Sequence, residues 1–443
     1  MSPAQSPMTS ASPVPLRLPA MNQITQKLLS GTLVLDLTRF FSGPQATLFL
    51  AGLGAQVVKI DDPATGDPTA FSPPYAGPGG VSFQRTSDAD MGLAYLKRAR
   101  GKQSVMLDLK SEAGREVFLR MVAGADVVID NFSAGVADRL GIGYDALAAV
   151  NPGIVYCSLT GYGATGSDRH LKAYDLMVQA AVGLMSVTGE AGGPPVKTGS
   201  PLSDAIAGVF AASGILAALL HRQHTGRGQA VDVSMADCLF SLMFDEPFDC
   251  YERLGLPHRQ GSRIMRFSPF NVYRSRDGWV VLGAATAADW TALLGAMERH
   301  DLTGDARMND LGWRIAHNAQ VDAIVSAWTE ARTTLDIVQA LHAAKVPCSP
   351  VRSIDEVMQW RQLRERGMVV PVHNPMTGTD MAASAPGFPI KFSAGQAGYD
   401  APAPLPGAHT QEILETLAGL SPQRIEELAA RGIVRRAQVP PSQ

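Results

Sequence analysis

Short apolar runs alternate with amphipathic stretches through the first third of the chain. Leu33–Leu37, Gln56–Ile60, Ser104–Asp108, Asp126–Asp130 and Gly153–Ser158 carry Val, Ile and Leu between turn residues, the pattern of strands buried on both faces. Between them, Pro44–Leu53 and Ser111–Gly124 are built of good helix formers, and Val117, Leu119, Met121 and Val122 give the second an apolar side. Strand and helix in alternation predict βαβ units: an α/β chain with a parallel sheet covered by helices on both faces.

A second helical block spans Asp204 to His221, followed by a turn at Gly226–Gln229, a strand near Ala230–Val233 and a helix through Phe244. Its apolar run, Ala205 to Leu220, is 16 residues long and rich in Ala and Gly. A membrane span needs about 18 to 20, so a buried helix is expected. From Glu246 to Phe270 the chain is punctuated by Arg and Pro. Phe270–Arg274 and Trp279–Leu282 then flank Ser275-Arg276-Asp277-Gly278, a hairpin signal that opens a smaller α+β lobe. Helices follow near Val321–Ala331 and Leu335–Ala344, then a Pro- and Gly-rich stretch, Pro371–Pro406, and a last helix near Pro422–Ala430. The Pro- and Ser-rich Met1–Ala20 lacks the basic start and apolar block of a secretory signal and reads as a disordered extension.

Charge narrows the choice of partner. Among 443 residues, 38 basic against 41 acidic side chains leave a net charge of -3, with no broad field for nucleic acid or an anionic membrane. An anionic ligand must therefore be held locally. Cys157, Cys238, Cys250 and Cys348 form no CxxC pair, which points to neither a disulfide framework nor a metal site and suggests a reducing, cytoplasmic compartment.

One formal motif is discounted. Gly161-Tyr162-Gly163-Ala164-Thr165-Gly166 spells GxGxxG, but it follows the fifth expected strand rather than the first and runs into polar Ser167-Asp168-Arg169-His170. An active-site loop is the better reading.

Several runs occur in an order that resembles the family III CoA-transferases (CaiB/BaiF type, similar to formyl-CoA transferases). They are Val34–Arg39, Ser42-Gly43-Pro44, Leu53–Ile60, Arg100–Ser104, Leu107–Lys110, Asp130-Asn131-Phe132, Arg139-Leu140-Gly141, Asn151-Pro152, Gly161-Tyr162-Gly163, Leu202–Gly208, Gly226–Gln229 and Asp277-Gly278-Trp279. The likeness covers residues 30 to 435. It implies a Rossmann-like large domain with a parallel sheet plus a smaller α+β domain, in two subunits interlocked as a homodimer. The division expected is 1–29 extension, 30–245 first part of the large CoA-binding domain, 246–350 small domain, and 351–443 a return to the large domain.

From the residues alone, Ser203 or Asp204 reads as the cap of the helix that follows. The resemblance makes Asp204 the catalytic nucleophile and Asp175 a second carboxylate beside it. It also implies coenzyme A as substrate and product, contacted by Leu107, Lys110, Asn131, Phe132, Arg139 and Lys172, with no metal. The partners it implies are an acyl-CoA and a small carboxylic acid, without nucleic acid or membrane. Departures exist: Asp61-Asp62 stand where the family often has a basic residue, Phe41 replaces a Gln of formyl-CoA transferases, and their Gly-rich lid has no counterpart between Gly255 and Phe270. A 2-methylacyl-CoA racemase, which would use a His-Asp pair, is the alternative; Tyr174 occupies the His position, and a phenol is a poor base at neutral pH. A catalytically silent CoA-binding subunit is a further alternative, against which the retention of Asp204 argues.

Overall fold

Six parallel strands form the frame in the computed structural model, which describes residues 26–437; the expected N-terminal extension lies outside the described residues as far as residue 25. In chain order the elements used below are β1 (Leu33–Asp36), α1 (Ser42–Gly52), β2 (Gln56–Asp61), α2 (Leu93–Arg98), β3 (Lys102–Leu107), α3 (Glu112–Val122), β4 (Val127–Asp130), β5 (Val155–Thr160), α4 (Asp175–Ala181), α5 (Leu202–Thr225) and β6 (Ala230–Ser234). The strands lie in the order 3-2-1-4-5-6, all parallel, with the two-residue strand Val434–Arg435 antiparallel against β3 at the edge. This is the doubly wound arrangement, in which chain direction reverses between β1 and β4 and opens a crevice at the carboxyl ends of those strands.

Burial follows the alternation of side chains along the strands. Leu35, Val58, Val105 and Val128 face Val117, Phe118 and Met121 of α3 together with Ile413, Leu414, Ile425 and Leu428 near the C-terminus. Val34, Val57, Val127 and Val155 face Ala46 and Leu50 of α1 and Ala207, Ala211 and Ile215 of α5. The C-terminal segment thus closes the first sheet. Ser111 starts α3 by accepting from the Gly114 amide.

Residues 270–350 build their own antiparallel sheet from Phe270–Arg274, Trp279–Gly283 and Cys348–Pro350, and the turn at Ser275–Gly278 is where expected. Its core gathers Tyr273, Trp290, Val321, Val325 and Leu341.

Three features differ from expectation. The Pro- and Gly-rich stretch contains a hairpin, Val369–Asn374 with Thr379–Pro386, whose register shifts between Pro371 and Val372. A proline cannot donate to a ladder, and a local shift of pairing accommodates it. A small sheet from Tyr75–Gly77, Gly80–Ser82 and Met91–Gly92 leans on that hairpin through Asn374, which donates to Ala76 O at 2.8 Å and Ala89 O at 2.9 Å. This layer carries α2 toward the sheet.

The third difference is α5, which runs 24 residues and is long and apolar enough to span a membrane by length and composition. It packs instead along α1, β5 and β6, while Val209, Phe210 and Leu220 stay exposed. Gly208 makes the approach to α1 possible: an added Cβ would lie 2.7 Å from Ser42 O and 2.9 Å from Gln45 Cβ. No other residue fits there without moving one helix.

Candidate active site

At the carboxyl ends of β1 to β4 lies a cavity of about 360 Å3, the crevice the strand order predicts. Leu37 and Arg39 enter it from the end of β1, Ile60, Asp61 and Asp62 from β2, Leu107 and Lys110 from β3, and Phe132 from β4. Three of the six residues expected to contact CoA therefore line one apolar slot with a charged rim.

Asn131 serves the cavity indirectly. Its Oδ1 accepts from the Arg39 amide at 2.9 Å and its Nδ2 donates to Arg39 O at 2.8 Å, which ties the ends of β1 and β4 together across the reversal. Arg39 itself was not singled out from the sequence. Its Nε is buried and, among the described residues, has no hydrogen-bond partner. Arg139 is exposed and sits between the lining residues Val136 and Leu140. Lys172 does not line this cavity; it is exposed on the segment before α4, three residues from Asp175.

The two acids at the departure from the family pattern are both neutralised. Asp62 pairs with Lys110 at 2.7 Å, and Asp61 pairs with the buried Lys59 at 3.0 Å. Lys59 also reaches Asp67 at 2.9 Å and Thr38 O at 2.7 Å. Burial works against the Lys59 charge, but Asp61, Asp67 and Asp36 outweigh it and raise its pKa. The cavity floor is therefore not a bare negative field.

Asp204 occupies the first turn of α5, at the positive end of the helix. It does not cap the helix, and neither does Pro201. That work falls to Asp175, the first residue of α4. Its Oδ1 accepts from the Ser203 amide at 2.9 Å and the Ser203 hydroxyl at 2.7 Å, and its Oδ2 accepts from Gln179 Nε2 at 2.7 Å. Gln179 is fully buried and accepts in turn from the Thr198 amide at 3.0 Å. A cap supplied from outside leaves the Asp204 carboxylate free of the helix cap, with Ser42 as its hydrogen-bonding neighbour.

Burial pushes the Asp204 carboxyl up to about 6, and the charge of Asp175 adds to the rise; Ser42 beside it and the Arg98 guanidinium pull the other way. The acid is thus ionised at neutral pH yet poorly solvated, as a nucleophilic carboxylate should be. Arg98, at the end of α2, lies over the Phe41 ring at 4.5 Å and was also not singled out from the sequence.

The Gly161–Gly166 loop opens no helix: the next one is α4, at Asp175. Two of its amides are already engaged by neighbouring strands, Gly163 donating to Thr160 Oγ1 of β5 at 2.9 Å and Ala164 to the Asp232 carboxylate of β6 at 3.0 Å. An acid held in the loop is incompatible with a pyrophosphate there, which agrees with discounting the motif. Among the described residues no group of three or more His, Cys, Asp or Glu is gathered as for a metal ion.

Comparisons with known proteins agree with this geometry. Residues 29–410 match the model of CoA-transferase family III. The chain is 35% identical to the succinyl-CoA:mesaconate CoA-transferase of Haloarcula hispanica, over 89% of this chain and 97% of that one. It is 36% identical to the acetyl-CoA:oxalate CoA-transferase of Acetobacter aceti, over 85% and 91%. It is 32% identical to the succinate–glutarate CoA-transferase of Agrobacterium fabrum, over 88% and 95%. A CaiB/BaiF family protein from Brucella suis has the same fold, with TM-score 0.75, 29% identity, and 89% of this chain and 100% of that one covered. With the doubly wound sheet, the crevice at its reversal and these likenesses together, the chain belongs to CoA-transferase family III and is an enzyme that moves CoA between acyl-CoA and carboxylate substrates.

Proposed function

We propose that the enzyme transfers CoA from an acyl-CoA donor to a carboxylic acid through covalent intermediates on Asp204, and that its acids are dicarboxylic. The observation that carries the mechanism is the Asp204 carboxylate, relieved of capping and held near pKa 6 at a helix start that Asp175 caps in its place. Mesaconate, oxalate and glutarate in the names of the relatives support the substrate class.

An Asp204 oxygen attacks the donor thioester carbon, the C–S bond breaks, and CoA leaves as thiolate from an acyl–aspartyl anhydride. The thiolate attacks the aspartyl carbonyl and expels the donor acid as carboxylate, which leaves Asp204 as a CoA thioester. An acceptor carboxylate attacks that thioester and releases the thiolate again. The thiolate then takes the acyl group of the acceptor, and Asp204 returns as a free carboxylate. Each bond broken is matched by one formed, so thioester energy is kept provided water stays out.

In this reading the 360 Å3 cavity takes the adenosine end of CoA, with Leu107 and Phe132 against adenine and Lys110 near phosphate; Arg139 beside the cavity, and Lys172 outside it on the segment before α4, meet phosphates beyond it. Asn131 acts there by holding Arg39. Residues 30–245 and 351–443 form the CoA-binding domain and 246–350 the smaller one. The four free cysteines fit a reducing cytoplasm.

We also propose an interlocked homodimer. The apolar Val209, Phe210 and Leu220 of α5, with Phe240, Leu242 and Phe244 beyond it, are exposed in the single chain and would be covered by a second copy. A solution mass near that of one 47.0 kDa chain would refute it.

The mechanism is tested by incubating the protein with succinyl-CoA, trapping with hydroxylamine or borohydride, and mapping the modified peptide by mass. Label on Asp204 is expected, and kcat/KM should fall as pH drops through about 6, where the nucleophile takes up its proton. If nothing labels Asp204 while α-protons of 2-methylacyl-CoA exchange with deuterated water, the racemase reading replaces this one.

A further inference from the structure

Among the described residues several interior cations are paired with acids, whereas Arg98, beside the nucleophile, is not. Lys59 has Asp61 and Asp67, Lys102 has Asp36, and Arg222 has Asp126. Arg100, two residues after Arg98, donates to Lys97 O and Pro386 O, each at 2.8 Å, and lies over the Tyr399 ring. Arg98 is half-buried, and among the described residues its guanidinium makes no hydrogen bond and no ion pair. It lies over the Phe41 ring, at 4.5 Å. A buried Nε–H with no acceptor costs stability, and an anion that meets the guanidinium would complete it.

The position of Arg98 selects the anion. Phe41 directly precedes Ser42, and Ser42 stands beside Asp204, so the stacked guanidinium is on the nucleophile side of α1. It does not line the cavity assigned to adenosine, where Arg39 and Lys110 are the cations. Asp204 and Asp67 are the acids whose fields reach it. When Asp204 becomes a thioester its charge is gone, and the imbalance at Arg98 grows at the step that admits the acceptor acid. A monocarboxylate uses its only carboxylate as the attacking group; a dicarboxylate has a second one to offer.

We propose that Arg98 receives the carboxylate remote from the reacting one and thereby makes the enzyme selective for dicarboxylic acids. This rests on the Asp204 transferase reading and adds the group that recognises the acid. The planar fork matches a carboxylate with two parallel bonds, and Phe41 holds its plane in place. A place at the end of α2 would by itself favour a cation, but such a residue would reach the last carbonyls, as Arg100 does and Arg98 does not.

The test uses the full chain as wild type, Arg98→Met and Arg98→Lys, at pH 8, where Asp204 is ionised in all three. CoA transfer from one donor is followed to succinate against butyrate and to glutarate against valerate. Arg98→Met should lower kcat/KM for the diacids by about 10²-fold, mainly through KM, and leave the monoacids within about threefold. Arg98→Lys should recover part of the diacid rate, because it keeps the charge and loses the fork. Thermal unfolding of each variant is measured first, and should Arg98→Met not fold, the diacid-to-monoacid ratio of Arg98→Lys decides. Equal loss for both classes of acid, or loss for neither, overturns the role of Arg98. A wild type that transfers CoA to no acid at all overturns the transferase reading instead.

Discussion

Asp204→Asn is expected to lower CoA transfer by at least about 10³-fold and, at pH 8, to make the protein harder to unfold. The first effect follows from the proposed mechanism, in which an Asp204 oxygen forms both covalent intermediates; an amide oxygen is too weak a nucleophile to replace it. The second follows from the sign of the pKa shift. A carboxyl raised from 3.8 to about 6 by burial and by Asp175 binds its proton more tightly folded than unfolded. Its ionised form therefore weakens the fold, by about 1 to 3 kcal/mol, at pH above 6, and the penalty fades as pH falls through 6 toward 3.8. Asparagine carries no charge and keeps a polar contact for Ser42. Urea midpoints of wild type and variant should differ at pH 8 and converge near pH 4. A variant that is inactive and less stable at pH 8 would mean that Asp204 is a structural acid. One that is more stable yet active would mean that the nucleophile lies elsewhere.

The division of labour between Asp175 and Asp204 shows where the sequence was legible and where it was not. The strands were readable because Val, Ile and Leu runs buried on both faces leave a strong signal between turns, and the start of α5 was readable from Ser203, Asp204 and the apolar run behind them. Leu107, Lys110 and Phe132 were grouped through the family resemblance alone, and the doubly wound sheet supplies the physical reason that those strand ends meet in one cavity. The cap of α5 could not be read, since Asp175 reaches Ser203 across 28 positions and no local rule selects between two nearby acids. Pro371 and Gly378 hid the hairpin Val369–Pro386, because they are loop residues by composition and become strand and turn residues only through a shifted register. The strand Val434–Arg435 is too short to carry any period. Arg98 gave no signal at all: an arginine in sequence carries no mark of whether an acid will face it. What distinguishes it from Arg100 is that its buried Nε finds no acceptor among the described residues, a property of packing alone.

Lys59→Met should cost about 3 to 5 kcal/mol of stability at pH 8, more than any surface charge could, because methionine fills the space and leaves buried acids without their cation. Lys59 is 1% exposed, and it is the common partner of Asp61 and Asp67, themselves almost wholly buried. Burial raises Asp61 and Lys59 opposes the rise, while Asp67 is held below its ordinary value because Lys59, with the Thr69 amide and hydroxyl, outweighs its burial. Without the ammonium both acids would titrate higher in the folded state than in the unfolded one. The deficit of the variant should accordingly be largest at alkaline pH and shrink as falling pH lets the acids take up protons. If the cavity takes the adenosine end of CoA as proposed, the same substitution should raise KM for the acyl-CoA donor by about tenfold, since Asp61 lines it and an uncompensated carboxylate there repels phosphate. Denaturant midpoints across pH, with KM measured under conditions where the variant is folded, test both parts. A uniform loss at every pH would show that Lys59 contributes by packing and by its bond to Thr38 O rather than by its charge. A deficit that closes at low pH, with KM recovering in parallel, would show that one buried ammonium both holds the strand ends together and keeps the floor of the CoA cavity tolerant of anions.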